Sequence, residues 1–159
     1  MHKEKPAPIR KIKKAKLEGF YLRASYEEVS DDGMREIAFK SAIEAHPDLL
    51  KAFAALQPAA RIILCVPDDW AREEIKITGV SWSCSESTGV RGAVITGQAI
   101  LPTAQSPFNF NTMHLPFDQY NESGNAPLMP PEGVDALDNL EREVLAALDG
   151  KSAQGELPL

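Results

Sequence analysis

Two stretches rich in β-branched residues, 75–85 and 90–101, constrain the fold of this chain more than any other feature of its sequence. Both have the composition of β-strands, and residues 86–89 supply a turn between them, so the pair predicts an antiparallel hairpin. Glycines interrupt the two arms where bends or bulges are expected, at Gly79, Gly92 and Gly97. A strongly curved ribbon of this kind is the unit from which small β-barrels are built.

Strict alternation along the first arm gives it two distinct faces. One face carries Lys76, Thr78, Val80, Trp82 and Cys84. We therefore expect Lys76 and Trp82 to lie on the same side of the sheet.

The N-terminal part of the chain predicts a meander of further strands. Residues 12–19 alternate loosely and residues 20–29 clearly, and residues 34–41 continue after a Ser-Asp-Asp-Gly turn at 30–33. A short edge strand is also expected over residues 108–115, between proline-rich loops.

Helical spacing occurs in two regions. Pro47 and Asp48 suit the start of a helix, and apolar residues recur at helical spacing as far as position 56. Pro58 interrupts this pattern; a second short helical turn is expected over 59–66, where an Ile-Ile-Leu run also suits a strand. His46 is interpreted as a helix cap. Residues 131–148 predict an amphipathic helix that ends at Asp149-Gly150.

This order of elements predicts an α+β domain. We expect a curved antiparallel sheet of about five or six strands, with a barrel as one form it can take, covered by two helices. At 159 residues the chain has the size of one domain. The predicted organisation is a flexible basic arm at 1–9, a folded domain at 10–149 and a partner-binding C-terminal tail at 150–159.

Composition argues against membrane and secreted proteins. A hydrophobic content of 43% and a charged content of 25% are ordinary for a soluble globular protein. No apolar run reaches the length of a membrane span, and no signal peptide is recognisable. Cys65 and Cys84 lie among apolar residues without metal-ligand spacing. We expect two buried, reduced thiols and a cytoplasmic location, with a disulfide as the alternative.

The net charge of −6 is unevenly distributed. Residues 1–17 are strongly basic and contain a single acid, Glu4, whereas residues 117–159 are acidic. A molecule with this polarity can hold a polyanion at one end. A solvated basic leader without a ligand is the alternative interpretation.

The sequence shows no catalytic or metal-binding pattern. His2, His46 and His114 are isolated, and no Cys-x-x-Cys spacing, nucleophile elbow or phosphate loop occurs. We therefore predict a binding protein rather than an enzyme, with no cofactor and no metal. An enzyme would need a concave pocket around His46 or His114 with a convergent carboxylate.

Aromatic residues interleaved with cations on a curved sheet suit single-stranded nucleic acid, because bases stack on the rings while cations follow the backbone. The candidate nucleic-acid-binding residues are Lys11, Lys13, Lys14, Lys16, Tyr21, Arg23, Trp82 and Arg91. The alternative is that the aromatic residues belong to the core and the lysines are merely exposed.

The segment Gln154-Gly155-Glu156-Leu157-Pro158-Leu159 resembles the bacterial sliding-clamp-binding hexapeptide, Gln-Leu-x-Leu-x-Leu, which often has proline fifth. The matching, candidate partner-binding residues are Gln154, Leu157, Pro158 and Leu159. The resemblance implies that Gln154 enters a polar subsite of the clamp and that the last apolar residues fill its main pocket. Gly155 replaces the usual leucine, and the missing side chain should weaken binding, since burying one leucine is worth about 1.5–3 kcal/mol.

A second resemblance covers most of the chain. The segments that carry it are 46–53 (His-Pro-Asp-Leu-Leu-Lys-Ala-Phe), 77–82 (Ile-Thr-Gly-Val-Ser-Trp) and 150–157 (Gly-Lys-Ser-Ala-Gln-Gly-Glu-Leu). They are similar to small proteins of phage and prophage replication–recombination cassettes. The resemblance implies a context of DNA replication or recombination without assigning a reaction.

These features predict a DNA replication or recombination accessory protein that binds single-stranded DNA and docks on a sliding clamp through its tail. The alternative is a protein-only adaptor or inhibitor of a host factor, such as the clamp or a defence protein. In that case the four lysines at 11, 13, 14 and 16 could be replaced together without loss of function. The sequence leaves the oligomeric state open.

Overall fold

The strands of the protein form a single antiparallel sheet. The structure, a computed structural model, describes residues 8–67, 69, 74–100, 106–118 and 127–154. Its strands are β1 (Ile9–Glu18), β2 (Tyr21–Ser30), β3 (Gly33–Lys40), β4 (Ile75–Cys84), β5 (Arg91–Ile100), β6 (Pro107–Asn111) and β7 (Leu115–Pro116). The predicted α+β class is confirmed, and within the described residues the seven-stranded sheet does not close into a barrel.

The helices are α1 (Pro47–Ala54), α2 (Gln57–Ile63) and α3 (Pro131–Leu148). The first two form one bent helix, with Pro58 near the start of α2. His46 caps α1, because its Nδ1 accepts a hydrogen bond from the Asp48 N–H at 3.0 Å. Gly150, with φ +114°, follows the end of α3. The predicted helices and the predicted cap are thus confirmed.

The two halves of the sheet meet at a short central seam. The strand order is β3-β2-β1-β4-β5-β6, with β7 paired to β5 beside this path. Strands β1 and β4 pair at Lys14–Ser81, Ala15–Val80 and Lys16–Gly79, and we call these paired residues the central seam. The seam places the lysines of β1 in the middle of the sheet rather than at one end of the molecule.

A bulge in β4 overturns the predicted alternation of its side chains. The register shifts between Ile77 and Gly79, so two consecutive residues of β4 oppose one residue of β5 there. Beyond the bulge Trp82 is buried with the core residues, whereas Lys76 is exposed. The prediction that Lys76 and Trp82 share a face is therefore wrong. A similar shift in β1, between Ile12 and Lys14, places two adjacent lysines away from the core.

All three helices pack against one face of the sheet. Leu49 and Phe53 of α1 and Leu137 of α3 are each at most 1% exposed, and they join one core with residues of β1, β2, β4 and β5. Burying each such side chain stabilises the fold by about 1.5–3 kcal/mol. Arg10 of β1 also donates two hydrogen bonds to Asp149, at 2.9 and 3.1 Å, at the end of α3. The opposite face of the sheet carries no described helix, and we call it the open face.

The prediction of two buried thiols is wrong. Cys65 and Cys84 are both exposed and unpaired with each other. Cys65 follows the short helix α2 with φ +54°, and Cys84 is at the end of β4 beside the hairpin turn. Within the described part of the chain, no helix is both long and apolar enough to cross a membrane.

Candidate nucleic-acid interface

One row of open-face residues crosses the whole sheet. The strand register aligns Lys40, Arg23, Lys16, Gly79, Thr96 and Asn111 on six neighbouring strands. Because adjacent strands lie about 4.8 Å apart, this row is roughly 24 Å long. Its first half is cationic, and its second half is uncharged and able to form hydrogen bonds.

The lysines of β1 lie in the middle of this row and beside it. Lys14 and Lys16 belong to the central seam, are exposed, and have no ion-pair partner among the described residues. Lys13 lies 3.6 Å from the Glu27 carboxylate, and Lys11 is paired with Glu27 in the strand register. All four predicted lysines therefore lie on β1, and among the described residues an ion pair engages Lys13 but not Lys14 or Lys16.

The lowered pKa of Glu18 indicates a positive electrostatic potential in this region. A hydrogen bond of 2.7 Å from Arg23 lowers the pKa of the Glu18 carboxyl, and the nearby charges of Arg23, Lys16 and Lys40 lower it further. A carboxylate surrounded by three cations neutralises only part of their charge. An anionic ligand entering here would therefore meet a net positive surface.

Two depressions flank the lysines of the central seam. The first, which we call the basic groove, has a volume of about 310 Å³. Its charged lining residues are Lys14, Lys16, Glu18, Arg23 and Lys40. The second, which we call the amide groove, has a volume of about 540 Å³. Its polar lining on β4, β5 and β6 is formed by Thr78, Ser81, Thr96, Gln98, Asn109 and Asn111. Lys14, Lys16 and Glu18 border both grooves.

Six of the eight predicted nucleic-acid-binding residues lie on the open face. They are Lys11, Lys13, Lys14, Lys16, Tyr21 and Arg23. Tyr21 is 42% exposed and lies opposite Glu18 at the end of the β1–β2 hairpin. Its ring can therefore stack on a base that reaches this end of the basic groove.

Trp82 and Arg91 do not join these residues. Trp82 is 6% exposed and packs within the core. Arg91 forms an ion pair with Glu141 of α3 and lies 5.9 Å from the centre of the Phe117 ring. The bulge in β4 explains the position of Trp82, because it shifts the alternation that the sequence pattern suggests. Arg91 lies on the core side because it alternates along β5 with the buried Ala93 and Ile95.

Several residues of the face were missed by reasoning from the sequence. Lys40, Lys76, Gln98, Asn109 and Asn111 join the site because β3, β5 and β6 align with β1 and β4. The signal available in the sequence was the alternation of polar residues, at positions 96 and 98 and at positions 109 and 111. Without the strand order, that signal could not be connected to the lysines.

Much of the negative charge lies on the other side of the molecule, although the open face also carries Glu18, Glu27 and Glu36 among its cations. Helix α3, which covers the core face, carries Glu132, Asp135, Asp138, Glu141 and Glu143. The first three of these are exposed. The net charge of −6 thus coexists with a cationic open face.

A third depression, of about 420 Å³, surrounds His114 at the far end of β4. The His114 Nε2 and the Ser83 Oγ lie 2.6 Å apart, which is within hydrogen-bonding distance. A nucleophile–base pair would also need a group that orients the imidazole. The described residues that line this depression include no carboxylate, so the convergent acid that an enzyme hypothesis requires is not among them.

The described residues contain no group of three His, Cys, Asp or Glu side chains placed to hold a metal ion. His46 is engaged at the start of α1, where its Nδ1 accepts from the Asp48 N–H and lies 3.6 Å from the Asp48 carboxylate.

The chain beyond α3 packs against the body as far as Ala153. The Lys151 Nζ donates to Asp48 at 2.8 Å and to Glu143 at 3.2 Å, and its side chain is 13% exposed. The Ala153 N–H donates to the Glu44 carbonyl at 2.9 Å. Because of these contacts, the folded part of the chain extends past residue 149, as far as Ala153. Gln154 is exposed directly after it, while Leu157, Pro158 and Leu159, like residues 1–7, lie outside the described residues.

Replacing Lys151 with alanine is expected to release residues 151–153 from the body. The hydrogen bond from Lys151 lowers the pKa of Asp48 below its ordinary value of 3.8, and the same bond raises the pKa of Lys151 above 10.5. The contact should therefore be intact at neutral pH. It should be lost as the pH falls through the lowered pKa of Asp48 or rises through the raised pKa of Lys151.

Amide exchange of Ala153, followed by NMR, checks this expectation. Ala153 should be protected in the wild type and unprotected in Lys151→Ala, whereas Lys51→Ala, on the exposed side of α1, should leave it protected. Equal protection in all three proteins would contradict the role of Lys151.

Neither a scan against protein-family models nor searches of curated proteins and of solved structures returned a match for this chain. The resemblances of the hexapeptide and of the three longer segments therefore stay predictions.

Proposed function

We propose that this protein binds single-stranded DNA on the open face of its sheet and serves as an accessory factor in DNA replication or recombination. The observation that carries the proposal is the row of cations from Lys40 through Arg23 to Lys16, beside Lys14, which has no ion-pair partner in the described part of the chain. The acidic helix α3 lies on the other side of the molecule. An extended polyanion can therefore approach the open face without meeting the acidic surface.

Phosphate contacts should dominate the affinity. Tyr21 is the one predicted aromatic residue that the open face presents, so base stacking should contribute about 1–3 kcal/mol at a single position. Each phosphate neutralised on a single strand contributes roughly 0.7 to the slope of log affinity against log salt. Contacts from Lys14, Lys16, Arg23 and Lys40 together imply a binding constant that falls about 50-fold between roughly 50 and 200 mM salt.

Fluorescence anisotropy with a labelled single-stranded oligonucleotide tests the proposal at these two salt concentrations. We expect saturable binding that weakens steeply with salt, and weak competition by a duplex of the same sequence, because paired bases cannot enter the grooves. Absence of binding at low salt, or an affinity that does not change with salt, would overturn the proposal. Absence of binding would favour the protein-only adaptor.

We further propose that residues 154–159 dock on a bacterial sliding clamp. The support is the hexapeptide resemblance together with the anchoring of residues 151–153, which leaves Gln154 exposed at a fixed point of the body. DNA on the open face would hold the peptide near a clamp on the same DNA, and tethering raises its effective concentration. A cytoplasmic location belongs to this proposal, and the two free cysteines are compatible with a reducing compartment.

A pull-down with purified sliding clamp tests the docking step separately. Leu157→Ala/Leu159→Ala should lose clamp recovery, because these side chains are the apolar anchors of the peptide. Glu156→Ala is the matched control, because the hexapeptide pattern leaves this position unspecified, and it should keep clamp recovery. Undiminished recovery of the double variant would refute docking through this peptide, and it would leave the DNA-binding proposal standing.

A further inference from the structure

The central seam divides the open face into a part that carries cationic side chains and a part that carries amide side chains. On the β2 side of the central seam, Lys40 and Arg23 supply charge without amide groups. On the β5 side, Gln98, Asn109 and Asn111 supply amides within a groove of about 540 Å³. Lys14 and Lys16 stand between the two sides and border both grooves.

The amide side chains are available to a ligand. Gln98, Asn109 and Asn111 are exposed, and no described residue forms a hydrogen bond with their side-chain amides. The register places Gln98 directly opposite Asn109, so two amides project side by side from neighbouring strands. Each amide offers both donors and an acceptor, the combination that reads the edge of a base.

The strand between the two grooves has a glycine, and therefore no side chain, where the row of open-face residues crosses it. Gly79 lies between Lys16 and Thr96 in the row across the sheet. A Cβ at this position would come within 2.9 Å of the Thr96 Oγ1 and 3.2 Å of the Ala15 carbonyl oxygen. A group passing from the lysines to the amides therefore meets no side chain at position 79 itself, but it meets the hydroxyl of Thr96, which lies beside the buried Gly79.

We propose that the amide groove is a base-reading subsite of the DNA-binding face. This inference rests on the proposed function. The strand runs along β1 with its phosphates over Lys14, Lys16 and the basic groove, and its bases cross Gly79 to reach Gln98 and Asn109. Adenine is the favoured base, because a carboxamide can both accept from its amino group and donate to its ring nitrogen.

Anisotropy with oligo-dA and oligo-dT of equal length tests this assignment in the full chain. The quantity compared is the dA-to-dT affinity ratio of each variant relative to the wild type, so that the intrinsic stacking of oligo-dA cancels. Asn109→Ala and Gln98→Ala should each lower this ratio roughly fivefold or more, the lower limit for one bidentate amide–base pair. Both side chains are exposed, and a thermal melt of each variant checks its fold.

Lys14→Ala is the matched control. It should weaken binding of both oligonucleotides and lower the salt slope by roughly 0.7, and it should leave the dA-to-dT ratio unchanged. Wild-type ratios in both amide variants, with binding otherwise intact, would overturn the base-reading subsite alone. Failure of every oligonucleotide to bind would overturn the proposed function, and the subsite with it.

Discussion

Replacing Lys14 and Lys16 together with glutamate is expected to abolish most binding of single-stranded DNA. Both side chains lie on the open face, border both grooves and have no ion-pair partner among the described residues. Reversal of their charge removes two attractive contacts and adds repulsion beside Glu18. We expect affinity at low salt to fall by at least about an order of magnitude and the salt slope to fall by roughly 1.4.

The matched control for this variant changes the net charge equally on the other side of the molecule. Lys51 of α1 and Arg142 of α3 are exposed and lie on the helices that cover the core face. Their double replacement by glutamate should change the affinity far less than the reversal of Lys14 and Lys16. Equal losses in the two double variants would mean that overall charge, and not the open face, governs binding. Circular dichroism and thermal melts of both variants check that each is folded.

Replacing Gly97 with valine is expected to destabilise the fold by about 3 kcal/mol or more. A Cβ at position 97 would press against the Lys76 carbonyl oxygen and lie 2.7 Å from the Phe110 ring. The carbonyl belongs to the backbone of β4, so it cannot move without disturbing the strand pairing. Overpacking a dense core typically costs about 1–3 kcal/mol, and the added branching of valine increases the clash.

Denaturant unfolding followed by fluorescence measures this effect. Gly97→Ala, which adds a single methyl group, should be destabilised less than the valine variant. Ala38→Val adds apolar atoms at an exposed position of β3 and should change stability by no more than about 0.5 kcal/mol. A Gly97→Val protein as stable as the wild type would contradict the close approach of β4, β5 and Phe110.

Local patterns in the sequence predict the elements of this fold well. The hairpin β4–β5, the meander β1–β2–β3, the cap at His46 and the limits of α3 all follow from turn residues, alternation and helical spacing. These features depend on residues close together in the chain. They are therefore readable without knowledge of the tertiary structure.

The composition of the candidate site could be predicted only in part. The lysines of β1 form an obvious cluster in the sequence, but Lys40, Gln98 and Asn109 join them only through strand pairing that includes the non-local pairing of β1 with β4. The bulges at 12–14 and 77–79 change which residues face the core, and a one-residue shift moves Trp82 to the opposite side. Register and strand order thus decide the site, and neither is a local property of the sequence.

The most direct test of the central claim is to map the surface that single-stranded DNA contacts, by amide chemical-shift changes in NMR. We predict that added oligonucleotide shifts the amides of Lys14 and Lys16 on β1, Ser81 on β4 and Thr96 on β5, while the exposed residues of α3 stay unchanged. Shifts confined to the helical side, or no shifts at an oligonucleotide concentration that saturates anisotropy, would contradict the assignment of the open face as the DNA-binding surface.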